Sequence, residues 1–259
     1  MKDPGSILIT GASSGIGAAL AEAYAAPSIH LALCGRDAGR LAAVAQRCRA
    51  SGATVAEACV DVSDAAAVAD WIETAEAAAP LDVVIANAGI QGGLWRGGAG
   101  ETQAELDRVM QVNFTGVCNT VYPILPAMRR RRRGQIALIA SLAAMRGLPF
   151  SPGYCASKAA VRIYGEALRS WLAADGIRIS IVLPGFVRTR LSDTVCGAKP
   201  LMLSPERAAR IIRRGLAQGR RQIAFPFGLY VGMQLLRAIP PVLADPVLRR
   251  LPVDIRPYD

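Results

Sequence analysis

Ser6-Ile7-Leu8-Ile9-Thr10-Gly11-Ala12-Ser13-Ser14-Gly15-Ile16-Gly17 decides the fold. Its first five residues read as a short buried strand, and the alanine-rich run after Gly17 reads as a helix to about Ala26. Between them the glycines have separate uses. Gly11 permits a tight turn, Gly15 lets the backbone come close to a ligand, and Gly17 lets helix and strand pack. The helix N-terminus adds unpaired N–H groups, so this turn, with Ser13, Ser14 and Ile16 in it, predicts a diphosphate site.

Outward from this turn the chain alternates strands and helices. Ile29 to Cys34 reads as a strand, Asp37 to Ser51 as a helix, Thr54 to Val60 as a strand, and Asp61-Val62-Ser63-Asp64 as the cap of a helix ending near Ala79. Leu81 to Ala86 is the next strand, a helix runs from about Ala104 to Met128, and strands follow at Ile136 to Ala140 and Ile177 to Leu183. Strands and helices in this rhythm predict an α/β fold, a doubly wound parallel sheet (Rossmann fold) with its ligand crevice at the strands' C-terminal ends. At 259 residues we expect a single domain over 1–259, with a core at 6–190 and a substrate-loop and C-terminal helical region at 191–259.

The polar candidates fall at those strand ends. The second strand ends in Gly35-Arg36, where an acid would bind the 2′-hydroxyl of NAD and an arginine suits the 2′-phosphate of NADP. NADP is therefore the expected cofactor, against the reading of Arg36 as a solvated loop residue. Asp61 reads equally well as an adenine contact or as a helix cap. Asn87-Ala88-Gly89 offers small residues for a flat ring and ribose to lie against, and Gly92, Gly93, Gly97, Gly98 and Gly100 around Trp95 predict a mobile, substrate-facing loop. Asn113 is a poor helix former in mid-helix and, if buried, needs partners.

Tyr154-Cys155-Ala156-Ser157-Lys158 places a phenol and an ammonium one helical turn apart, on the same face. A free tyrosine titrates near ~10, so proton transfer near neutrality calls for a shift of ~3 units, and a lysine cation has the sign to lower it. Such a pair is also common on helices with no chemical role, so other residues must decide. Ser141 ends the fifth strand ahead of it.

Composition narrows the class. The six cysteines are scattered, and His30 is the lone histidine, which predicts reduced thiols, a cytoplasmic location and no metal site. Met1 to Ser6 is too short for a signal peptide. The formal charge of +10 and the arginine run Arg129 to Arg133 invite a nucleic-acid reading. No zinc-finger or RNP-like signature accompanies the charge, and a basic run before Gly134 suits a solvated helix C-terminus, so no nucleic-acid partner is expected.

Taken together, Thr10 to Gly17, Asn87-Ala88-Gly89, Asn113, Ser141, Tyr154 to Lys158 and Pro184-Gly185 resemble the short-chain dehydrogenase/reductase family, in the right order over roughly Ser6 to Arg190. The resemblance implies Tyr154 as acid/base, Lys158 to lower its pKa and hold the nicotinamide ribose, Ser141 to orient the carbonyl, and Asn113 to support a water-linked proton relay. It implies contacts of Gly11, Ser13, Ser14, Gly15, Ile16 and Gly17 with the diphosphate, Arg36 with the 2′-phosphate, and Asp61 and Val62 with adenine. Asn87, Ala88 and Gly89 should meet the ribose, and Pro184, Gly185 and Thr189 the nicotinamide end. Ala140 stands where many members have a second serine. The expected activity is hydride transfer between NADP(H) and the carbonyl or secondary alcohol of an apolar small molecule. A 3-oxoacyl thioester reductase and a non-catalytic NADP-sensing module are the alternatives, and a homo-oligomer is expected.

Beyond this core, Ser204-Pro205-Glu206 starts a helix reaching about Gln218. Gln222 to Leu236 then carries no charge, but it is shorter than the about 20 residues of a bilayer span, and Pro226 and Gly228 interrupt it. Phe225, Phe227, Leu229, Tyr230, Met233, Leu235 and Leu236 predict a lid or subunit contact, or a peripheral membrane contact through 222–239.

Overall fold

The structure, a computed structural model, describes residues 3–93, 100–250 and 253–255. In chain order the elements are β1 (Ser6–Ile9), α1 (Gly15–Tyr24), β2 (His30–Cys34), α2 (Ala38–Ala50), β3 (Thr54–Ala58), α3 (Ala65–Ala78), β4 (Val83–Ala86), α4 (Gln103–Met110), α5 (Gly116–Val121), α6 (Leu125–Arg130) and β5 (Gly134–Ile139). They continue as α7 (Pro152–Trp171), β6 (Ile177–Pro184), α8 (Arg190–Asp193), β7 (Val195–Cys196), α9 (Pro205–Ala217), β8 (Gln222–Phe225), α10 (Phe227–Ala238), α11 (Pro241–Arg249) and β9 (Asp254–Ile255).

A 7-stranded sheet runs β3-β2-β1-β4-β5-β6-β8, parallel at every pairing. Side chains alternate across it. Ile7 and Ile9 pack with α1 and α2, whereas Leu8, between them, packs with α3 and α7, so the inner strands are apolar on both faces. The order reverses between β1 and β4, and a crevice opens at their C-terminal ends. The small antiparallel pair β7–β9 lies apart from the main sheet.

Three expectations change. The helix expected from about Ala104 to Met128 is broken into α4, α5 and α6 by a wide π turn at Gln111–Thr115 and a tight turn at Tyr122–Ile124. Asn113 sits in the wide turn, and Pro123 and Pro126 each remove a helical N–H donor. Asp61 does not cap α3, because Asp64 does, accepting from the Ala67 N–H at 3.0 Å. The stretch after Arg221 is not one apolar segment: Gln222–Phe225 joins the sheet beside β6, and α10 begins only after Pro226.

The arginine run is more engaged than a solvated helix end. Arg129 pairs with Asp175 at 2.8 Å and lies over the Trp171 ring, Arg131 pairs with Glu76, and Arg133 lies 3.1 Å from Asp82. Among the described residues no helix is long and apolar enough to cross a membrane.

Candidate active site

The turn after β1 is held by Asn87 and Ala88, just beyond β4, through both backbone and side chain. Asn87 donates its N–H to the Thr10 hydroxyl at 2.9 Å, and its amide donates to the Thr10 and Gly11 carbonyls at 2.9 and 3.2 Å. Ala88 donates to the same hydroxyl at 3.1 Å. The glycines are forced by distance: a Cβ on Gly11 would lie 2.8 Å from the Ala88 Cα, and one on Gly17 would lie 2.2 Å from the Gly11 carbonyl oxygen. Gly15, at φ +57°, has room for no side chain beside the Thr189 methyl, 2.9 Å from where its Cβ would be.

A cavity of about 600 Å3 opens over this turn and runs to α10. Gly11, Ser13, Ser14, Gly15, Ile16, Arg36, Asp61, Val62, Asn87, Ala88, Gly89, Ser141, Tyr154, Lys158, Pro184, Gly185 and Thr189 all line it. Gly17 and Asn113 do not. Gly17 packs behind the turn. Asn113 is fully buried; its Oδ1 accepts from the Ile90 N–H at 2.8 Å and its amide donates to the Ile90 carbonyl and the Ser157 hydroxyl, both at 3.0 Å.

At the β2 tip, Arg36 lies 3.9 Å from Asp61. Burial alone would raise the Asp61 carboxyl, but the Ser63 N–H and hydroxyl bond to it, and with Arg36 nearby they hold it below the usual range. Arg40 and Asp37 also line this end. Asp37 caps α2 through the Arg40 N–H at 2.8 Å and pairs with the Arg40 guanidinium at 2.8 Å.

The middle of the cavity holds the phenol, the hydroxyl and the ammonium. Ser141 caps the single turn Leu142–Ala144, accepting from the Ala143 N–H at 3.1 Å, and lines the same cavity as the Tyr154 phenol. Lys158, one turn along α7, is buried, donates to the Ile139 carbonyl at 3.0 Å and lies 5.8 Å from the Tyr154 ring centroid. A Cβ on Gly89 would lie 3.2 Å from both Lys158 Nζ and Asn113 Oδ1, which places the two side chains against the same backbone position.

The expected lowering of the Tyr154 pKa is not found in this arrangement. Burial pushes the phenol up to about 12, with the nearby Ser141 hydroxyl acting in the opposite sense, and burial pushes the Lys158 ammonium down to about 8. Removing these groups from water disfavours each charged form, the phenolate and the ammonium alike.

The far end of the cavity is apolar. Leu142, Leu148, Phe150, Phe186, Val195 and Ile255 line it, and of the apolar C-terminal stretch Leu229 and Met233 reach it from α10. Val195 and Ile255 fall within the region expected at 191–259 to face substrate, whereas Leu142, Leu148, Phe150 and Phe186 carry no expectation. These residues lie on short turns or arrive through the β7–β9 pairing, and apolar residues without periodicity give no signal. The expected substrate loop falls partly outside the described residues, which do not include Trp95, Gly97 or Gly98.

The sequence profile described as "short chain dehydrogenase" matches residues 6–198. The chain belongs to the short-chain dehydrogenase family. An "uncharacterized oxidoreductase" of Myxococcus xanthus (strain DK1622) is 34% identical over 251 residues, which span 94% of this chain and 96% of that protein. "Dehydrogenase/reductase SDR family member 7B" of Bos taurus is 35% identical over 194 residues, 72% of this chain but 59% of the bovine protein. Among solved structures, a short-chain dehydrogenase/reductase from Burkholderia phymatum in complex with NAD superposes with a TM-score of 0.82 at 26% identity, covering 100% of this chain and 99% of that one. One from Sphingobium yanoikuyae in complex with NADPH gives a TM-score of 0.78 at 26% identity, covering 95% and 96%. As a short-chain dehydrogenase this protein is an oxidoreductase acting on CH–OH or C=O groups.

Proposed function

We propose that this short-chain dehydrogenase transfers a hydride between NADP(H) and the carbonyl or secondary alcohol of an apolar small molecule. The observation that carries the reading is that Ser141, Tyr154 and Lys158 line one cavity together with the glycine turn, Lys158 one turn along α7 from Tyr154 and donating to the Ile139 carbonyl at 3.0 Å. The residues present fit a dinucleotide: the glycine turn leaves no room for a Cβ at Gly11 or Gly17, and the α1 N-terminus opens on the same cavity. When bound, the nicotinamide supplies or takes up the hydride.

In the reducing direction, Tyr154 and Ser141 donate hydrogen bonds to the substrate oxygen as negative charge grows there, and Tyr154 gives up its proton to it. The neutral phenol that burial favours is the donor state. Lys158, as the ammonium, stabilises the tyrosinate left behind and reaches the ribose side of the cavity. Asn113 acts through Ile90 and the Gly89 backbone, holding the wall on which Lys158 rests.

The NADP preference rests on Arg36. Asp37, the acid nearest the β2 tip, caps α2 and pairs with Arg40, whereas the Arg36 side chain, 46% exposed and 3.9 Å from Asp61, keeps its guanidinium open to a 2′-phosphate. Specificity constants for NADPH and NADH, measured on this protein and on Arg36→Asp, test it. NADPH is expected to be preferred, and the substitution to lower that preference about tenfold or more, the worth of one charge-assisted hydrogen bond. NADH already being the better cofactor in the unsubstituted protein would overturn the reading of Arg36.

A further inference from the structure

We propose that α10, with the start of α11, docks this enzyme in the plane of an anionic lipid surface. Phe227, Val231 and Leu235 recur every four residues and so form one stripe along α10; they are 77%, 37% and 64% exposed. Past the Pro240-Pro241 break, Val242 and Leu243 at the start of α11 add further exposed apolar surface, at 76% and 63%. The other side of the helix is already occupied, since Leu229, Tyr230 and Met233 pack against the core. A helix apolar on both sides, with one side packed, presents the other to a second apolar phase.

Charge selects which phase. Between Glu206 and Asp245 the sequence has no acidic residue, while Arg220 and Arg221 before β8 and Arg237 in the last turn of α10 are all exposed. Asp245 itself is paired with Arg146 at 3.4 Å. A second copy of the chain would bring a like-charged rim against this one, whereas anionic headgroups would neutralise it while the acyl boundary takes the stripe. The helix is too short to span, so the contact lies flat. Leu229 and Met233, on the reverse of the docked stripe, then form the inner wall of the cavity, giving an apolar substrate dissolved in the lipid a short path inward.

Co-sedimentation of the full chain with phosphatidylcholine vesicles, with and without phosphatidylserine, is the test. Binding to the anionic vesicles is expected to exceed binding to the neutral ones about tenfold at low salt and to weaken as salt rises. The double variant Phe227→Glu/Leu235→Glu should lose that binding yet keep turnover of a short, water-soluble ketone, since neither residue lines the cavity. Should that variant unfold, Arg237→Gln on the exposed last turn provides the readout, and binding must fall. No binding at low salt, equal binding to both vesicle types, or unimpaired binding by the folded variant would each overturn the proposal. So would a change of oligomeric state in that variant with no vesicle binding by the parent, which would assign the stripe to a second copy.

Discussion

The two ends of the cavity are built on different principles. At the β1–β4 end the wall is backbone, brought so close that residue type is dictated: a Cβ on Gly11 would meet the Ala88 Cα at 2.8 Å and the Ala88 nitrogen at 3.1 Å, and one on Gly17, just behind, the Gly11 carbonyl oxygen at 2.2 Å. At the α10 end the wall is side chains, Leu142, Leu148, Phe150, Phe186, Leu229 and Met233, any of which another apolar residue of similar volume could replace for less than about 1.5 kcal/mol. One end tolerates a single residue at a position, the other a class. An end that takes a nicotinamide cofactor can be rigid, whereas an end that, on the proposed reading, meets the substrate can vary by repacking.

The largest effect is expected where the two ends meet. Tyr154→Phe keeps the ring and removes the proton donor, so kcat should fall about 100- to 10,000-fold, while the cofactor dissociation constant stays within a few-fold. Steady-state rates and a fluorescence titration with NADPH separate the two quantities. Undiminished turnover in the purified variant would move the acid/base role elsewhere and with it the boundary between the two ends.

Gly17→Ala probes the rigid end. The added methyl meets backbone that cannot turn aside, so the turn must shift at a cost of about 1–3 kcal/mol. Cofactor affinity should weaken, and the melting temperature should fall by about 2–4 °C for each kcal/mol. Calorimetry and NADPH titration read both. A variant as stable and as tight as the parent would show the turn to be adaptable, and the contrast between the ends would fail.

The same contrast governs how much could be read from sequence. The doubly wound sheet was legible because strands buried on both faces are apolar runs separated by helices, and the glycine turn because its spacing has one geometric use. Nearly every residue expected at the site lines one cavity, with Asn113 and Gly17 just behind its wall. The break around Asn113 was not legible, because a π turn adds one residue to a helix without altering its composition. Nor was the exchange of roles between Asp61 and Asp64, two acids in one short loop, either of which has the chemistry of a cap. How the apolar end is assembled stayed hidden because Phe150, Val195 and Ile255 are far apart in sequence and meet only through tertiary packing.

Met233→Ala should give the smallest effect and tests the adaptable end. Met233 lines the cavity from α10 and packs against the core on the same side, so shortening it removes apolar contact from whatever reaches that far and enlarges the pocket there. Each methylene of substrate that loses its partner forfeits up to about 0.8 kcal/mol. A ketone long enough to reach α10 should therefore show kcat/KM reduced about threefold to tenfold, whereas a short ketone confined near Tyr154 should be unchanged. Measuring a homologous series of ketones on both proteins locates the length at which the curves separate, and hence how far the substrate extends. A uniform loss across the series would place the effect on the fold of α10 rather than on contact with substrate. A larger loss for the short ketones would reverse the assignment of the apolar end, because the chain would then have to enter from the opposite side.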